Sequence, residues 1–221
     1  MNFLESLEWR YATKRMNGEQ IPDQKLKNIL DAVQLAPSSF GLTPYNVIVV
    51  QDPAIKEKLA PHCYNQPQIK ESSALLIFAP WKNINDGHVD TYMHEIATTR
   101  GIPAEALADF GNMIKGKVNN SSPEDLHVWA SKQAYIALGF GLAAAAVEAI
   151  DSTPGRARLA LFPDPAAALR RRGAPWTFDP QARALRLQAL RQRRASVSWP
   201  AYEHSVHDPV EDALTISPDT P

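Results

Sequence analysis

Residues 121–150, SSPEDLHVWASKQAYIALGFGLAAAAVEAI, constrain the fold more than any other stretch of the chain. Ser122 stands as a helix N-cap, Pro123 takes the first helical position, and Glu124 and Asp125 oppose the helix dipole. About 25 residues follow that are apolar on nearly every face. A helix of this kind has little to offer water, so it belongs in a large core or at an interface between subunits. Gly139, Gly141 and the alanines let another backbone approach closely. The apolar run from Ile136 to Val147 is about a dozen residues and holds two glycines, too short to span a bilayer.

The elements before it can be read from periodicity. In PDQKLKNILDAVQLAP, Leu26, Ile29, Leu30 and Val33 form an amphipathic helix stripe, with Pro22 at its first turn and Pro37 after its end. YNVIVVQ (45–51) and SALLIFAP (73–80) are short β-branched or aliphatic runs and predict buried strands. PAIKEKLAPH between them predicts a short helix. Residues 88–117 predict helix, broken near Gly101 and Pro103.

The chain changes character at Pro154. Up to that point it has ten Lys and three Arg; afterwards it has ten Arg and no Lys. Asn disappears, and Ile falls from twelve to the single Ile216. Net charge is −4 before the break and +3 after it, so the overall −1 conceals an asymmetry. Short helices are the most that DPAAALRRRG and DPQARALRLQALRQRRA offer, and residues 197–221 read as an extended or disordered tail. The expected organisation is a domain over 1–154 and a divergent Arg/Pro-rich tail over 155–221.

Several function classes are excluded or disfavoured. The chain's net charge argues against a whole-chain nucleic-acid binder. An Arg-rich binding module in the tail lacks interleaved aromatics apart from Phe162, Trp176 and Phe178. The lone Cys63 rules out an internal disulfide and reads as a structural thiol. The opening MNFLESLEWRYATKR carries acids and no apolar core, so no secretory signal is read and a cytoplasmic setting is expected. His204 and His207 lie three apart without other ligands nearby, and no metal site is expected.

Three short clusters carry polar chemistry. In WRYATKR (9–15), Arg10 and Lys14 stand four apart and share a face if the stretch is helical, a pair able to hold an anion. The alternative is a solvated basic face. APSSFGLTPYN (36–46) is a loop of small and polar residues ahead of a buried strand, which lines a ligand site or simply connects. YNQPQIKES (64–72) places Asn65 and Gln68 before the second strand, suited to the edge of a heterocycle or to turn chemistry.

Together, their order and spacing resemble the FMN-dependent nitroreductase family. The resemblance runs from about residue 4 to Pro154, and the WASKQAY helix (129–135) is similar to that family's central dimer-interface helix. It implies an α+β fold with a mixed central sheet flanked by helices, and a homodimer sharing two flavin sites. Arg10 would reach the FMN phosphate, with Tyr11 and Ala12 near the ribityl chain and Lys14 near the pyrimidine side of the ring. Pro37, Ser38 and Ser39 would form the loop that the partner subunit brings to the flavin. Asn65 would meet the pyrimidine edge, and Gln68 stands where members carry lysine or glutamine. Gly41 departs from the asparagine of many members, and Phe40 and Thr43 are candidate substrate neighbours. The implied activity is two-electron transfer from NAD(P)H, through FMN, to a small electron-poor acceptor such as a nitroaromatic or quinone. No side-chain acid, base or nucleophile is required.

The resemblance breaks at Pro154. The family continues with a Glu-Gly-Phe turn facing flavin N5, whereas this chain continues GRARLALF. Either residues 155–221 are foreign, from a frameshift or fusion, or they are a divergent replacement whose Arg156, Arg158 and Arg170 to Arg172 serve the phosphate. Translating the coding DNA in its other frames separates the two. The rival to an oxidoreductase is a flavin-binding or structural dimer without turnover.

Overall fold

The four stripe residues Leu26, Ile29, Leu30 and Val33 are all buried along one helix, Asp23–Leu35. Each contributes roughly 1.5–3 kcal/mol on leaving water, and this stripe fixes the helix against the rest of the core. The protein is seen here as a computed structural model that describes residues 2–155, all within one compact unit. The Arg/Pro-rich tail, with His204 and His207, lies outside the described residues.

In chain order the helices are α1 (Phe3–Trp9), α2 (Asp23–Leu35), α3 (Pro53–Leu59), α4 (Pro67–Glu71), α5 (Asp86–Arg100), α6 (Ala108–Asn119) and α7 (Pro123–Val147). Strands β1 (Tyr45–Val50) and β2 (Leu75–Pro80) pair antiparallel, from Tyr45 opposite Pro80 to Val50 opposite Leu75. The α+β class expected from the sequence is the class observed. Among the described residues the sheet has these two strands, with one isolated parallel bridge between Ala12 and Ser152.

Alternation along the strands divides the core. Tyr45 and Val47, with Leu76 and Phe78, pack on Val33 of α2 and on Ala134 and Ala137 of α7. Ile48 and Val50, with Leu75 and Ile77, face the other way onto Leu59, Ala60, Cys63 and Ile69. A third cluster joins α5 and α6 to the start of α7 through Val89, Ile96, Ile114 and Ala130. The break expected near Gly101 is the end of α5, where Gly101 adopts φ 62° and caps the helix.

Polar side chains close the helix ends of this frame. Asn2 and Glu5 form a capping box at the start of α1. The Lys56 ammonium is buried and donates to the carbonyl of Ser72, the cap of α4; desolvation pulls its pKa down. Cys63 is buried as well, and the same cause pushes its thiol pKa up, which makes it a poor nucleophile.

Within the protomer, the long helix α7 is covered on one side only. One stripe, from Leu126 through Ala130, Ala134 and Ala137 to Ala145, is buried against the protomer. Its other side is not: Val128, Tyr135, Ile136, Phe140 and Val147 are 41–59% exposed. Gly141 admits Val33 of α2, whose Cγ2 lies 3.0 Å from the position a Cβ would take, while Gly139 faces open space. Among the described residues no helix is long and apolar enough to cross a membrane.

Candidate functional site

Helix α1 stops at Trp9 because Arg10 turns extended (φ −71°, ψ 139°) and the following chain is claimed by other partners. Ala12 bridges Ser152, just beyond the exit of α7. Arg15 Nε donates to both carboxylate oxygens of Glu71 on α4, at 2.8 and 3.0 Å, and the Met16 amide donates to Glu71 Oε2 at 3.0 Å. The Ile21 amide donates to Ser73 Oγ at 2.8 Å. Residues 10–21 are therefore a strap rather than a helix. The expectation that Arg10 and Lys14 share one helical face is corrected: Arg10 is half-buried and Lys14 is exposed, both on non-helical backbone.

The exit of α7 is firmly held. Lys25 Nζ donates to the Glu148 carbonyl at 2.6 Å and Asn28 Nδ2 to Glu148 Oε1 at 2.7 Å. Ala149 takes the left-handed conformation (φ 53°), and the Ile150 amide returns to the Ala145 carbonyl at 2.8 Å. This turn delivers Ser152 and Thr153 alongside the strap. Here buried Arg10 Nε, Ser152 Oγ and Thr153 Oγ1 have no hydrogen-bond partner among the described residues. Polar atoms buried without partners cost roughly 1–3 kcal/mol each, so a cluster of three on two paired segments marks a place where a polar group belongs.

The third segment lies next to this corner. Gln66 Oε1 is 3.8 Å from where a side chain at Gly155 would begin. Tyr64 and Asn65 are both left-handed (φ 58° and 51°), which presents Asn65 on an exposed bend before α4. Gln68 is buried, so of the two amides singled out in the sequence only Asn65 is open to solvent. Tyr11 is exposed.

The loop bearing Pro37, Ser38 and Ser39 is elsewhere. The Ser39 amide donates to Gln133 Oε1 on α7 at 2.8 Å, and the Thr43 amide donates to Ser38 Oγ at 3.1 Å. From Gln133 to the end of α7 the helix rises about 21 Å, so the loop and the Arg10 corner do not meet within one protomer. Phe40 packs on Phe110 and Trp129, and Thr43 is buried, so neither substrate-neighbour candidate is freely presented. Gly41 has φ 71°, and a Cβ there would sit 2.5 Å from the Tyr92 hydroxyl. Its departure from asparagine is thereby accounted for.

Sequence reasoning missed Ser152, Thr153, Gln133 and Tyr92. The Ser-Thr pair directly before Pro154 was a local signal; the other two reach their partners across long sequence separations.

The strap's attachment has a pH signature. Hydrogen bonds from Arg15 and from the Met16 amide hold the Glu71 carboxyl below the ordinary value of 4.5. A lowered acid favours the folded state fully above its ordinary pKa, and that contribution disappears as pH falls through the lowered one. Below about pH 4.5, then, Glu71→Gln should show a shallower loss of stability than the parent, read from urea midpoints across pH 3–7. Parallel curves for the two proteins would refute the assignment.

Two helical layers around an antiparallel strand pair, with a cationic corner at the end of the long helix, define the nitroreductase-like class. The chain matches the solved structure of a putative nitroreductase in complex with FMN from Exiguobacterium sibiricum, with a TM-score of 0.64, 19% identity and 96% of each chain covered. The sequence family described as the nitroreductase family matches residues 7–160, and the chain belongs to that family. It is 31% identical over 156 residues to a putative NAD(P)H nitroreductase of Staphylococcus haemolyticus, covering 68% of this chain and 72% of that one. The same identity holds over 166 residues with the putative NAD(P)H nitroreductase YfkO of Bacillus subtilis, at the same coverage.

Proposed function

We propose that the protein is an FMN-dependent NAD(P)H oxidoreductase that reduces nitroaromatics, quinones or similar electron-poor acceptors as a cytoplasmic homodimer. The observation that carries this reading is the corner where Arg10 Nε, Ser152 Oγ and Thr153 Oγ1 are buried without partners, on the strap that also bears Lys14, which has no ion-pair partner among the described residues. Unused donors and two uncommitted cations suit an anionic, hydrogen-bond-rich group, and FMN is one. When bound, FMN supplies the two-electron chemistry.

The chain's residues bind and orient. Arg10 holds the phosphate, with Tyr11 and Ala12 along the ribityl chain. Lys14 places a fixed positive charge where negative charge accumulates on reduction, and so favours it. Asn65 offers an amide to the pyrimidine edge, with Gln68 behind it. The loop of Pro37, Ser38 and Ser39 closes the site from a second copy, consistent with its distance from Arg10 within one protomer. The exposed side of α7 is the surface for that copy. Beside it lies an apolar groove of about 320 Å³ between α1, α2 and α7, lined by Phe3, Ala32, Phe140 and Val147. We place the domain boundary at Pro154.

A second reading, binding without turnover, is favoured by the sequence Pro154-Gly155-Arg156, which lacks the glutamate of the family's N5-facing turn. One experiment separates the two. Full-length protein titrated with FMN is expected to take up one flavin per chain, seen as quenched flavin fluorescence. NADH should then bleach the flavin absorbance and a quinone should restore it. Uptake without bleaching selects the second reading, and no uptake overturns both.

A further inference from the structure

We propose that Tyr92 of α5 is a positioning residue that sets the geometry of the loop at residues 37–43, and through it the face offered to flavin across the dimer. The inference rests on the composite flavin site proposed above. The loop is backbone under tension: Phe40 (φ 56°), Gly41 (φ 71°) and Thr43 (φ 49°) are all left-handed within four residues. Two of these are not glycine, a conformation that persists only where surrounding contacts over-determine it. The contacts are identifiable. Tyr92 Oη donates to the Phe40 carbonyl at 2.9 Å, at the crest of the turn. Gln133 of α7 accepts the Ser39 amide on one flank, and Ser38 Oγ accepts the Thr43 amide across its base. The Phe40 ring is held between Phe110 of α6 and Trp129 of α7, at centroid distances of 6.5 and 6.2 Å.

Of these contacts, the Tyr92 bond is the one that holds the backbone of Phe40, the first of the left-handed residues, from a separate helix. Tyr92 is buried, so its hydroxyl has no bulk water to turn to, and α5 presents it from a helix anchored in the core by Val89, Met93 and Ile96. The hydroxyl also occupies the space where a side chain at position 41 would begin. Tyr92 and Gly41 are thus a matched pair: the glycine admits the hydroxyl, and the hydroxyl fixes the turn. Pro37, Ser38 and Ser39 inherit their direction from that turn.

Tyr92→Phe keeps the ring and removes the hydroxyl that makes the bond to Phe40. In flavin-free protein, amide exchange over residues 38–43 should quicken about fivefold, the equivalent of one neutral hydrogen bond, with exchange in the buried turns of α7 unchanged. FMN should bind about fivefold more weakly for the same reason, with an altered visible spectrum of the bound flavin. Gly41→Ala supplies the second variant. Its destabilisation should be greater in the parent than in the Tyr92→Phe background, because only the parent holds the clashing hydroxyl. Unchanged loop exchange, or additive costs of the two substitutions, would overturn the pairing. Faster exchange with parental FMN affinity and spectrum would overturn the link to flavin. Parent protein that takes up no FMN would instead bring down the composite-site reading, and with it this role for Tyr92.

Discussion

Phe140→Arg is expected to turn the proposed dimer into a folded monomer and to abolish flavin binding with it. The side chain is 41% exposed on the outer side of α7 and borders the apolar groove with Phe3 and Val147. A lone guanidinium buried at the centre of such an interface leaves an unpaired charge costing roughly 3–5 kcal/mol, a loss of at least about a hundredfold in association. In the isolated protomer the same arginine points to water, so helix content by circular dichroism should hold while sedimentation velocity reports half the mass. Flavin uptake should fall because the loop at 37–39 and the Arg10 corner lie at opposite ends of about 21 Å of helix and, in the proposed dimer, would meet only between copies. A variant that stays dimeric would refute the interface. A monomer that retains full FMN affinity would refute the divided site.

The second large effect is at Arg10. Arg10→Met removes the charge and the buried Nε while keeping much of the stem's packing. FMN affinity should fall by roughly 10- to 100-fold, the range for a hydrogen bond to a charged group. Stability without flavin should move the other way or hold, because an unpartnered buried donor has been removed. Calorimetry of the flavin-free protein and fluorescence titration together make the check. A variant that loses stability without flavin yet binds FMN normally would make Arg10 a structural residue. Salt sensitivity offers an internal control, since the charge contribution is screened and the packing contribution is not.

The sequence was legible where physics is local. The stripe of α2, the Ser122 cap of α7 and the apolar runs of β1 and β2 each depend on neighbours within a few residues, and all form the elements expected, although β2 is half-buried along its length rather than buried. The strap at residues 10–21 was not legible, because its conformation is set by Ser152, Glu71 and Ser73, all distant in sequence. Arg10 and Lys14 at a four-residue spacing fit a helical face, and tertiary pairing overrode that reading. Tyr92 and Gln133 were equally hidden: an ordinary tyrosine and glutamine inside helices acquire their roles only when the loop folds onto them. For α7, composition showed that the helix wants burial on all sides. It could not show which side the protomer itself covers.

The bridge between Ala12 and Ser152 also has a consequence for how the protein is made. It joins the start of the chain to a residue that is synthesised only after the whole of α7. At about 5–20 residues per second, the strap waits on the order of ten seconds on the ribosome before its partner emerges. Contacts this distant are among the last to form, so Arg10 spends that interval unplaced, in a chain whose apolar α7 is also the last described helix to be made. The corner of Arg10, Ser152 and Thr153 is therefore finished at the end of biogenesis, and a nascent chain halted before residue 152 would hold most of its core but not the assembled corner.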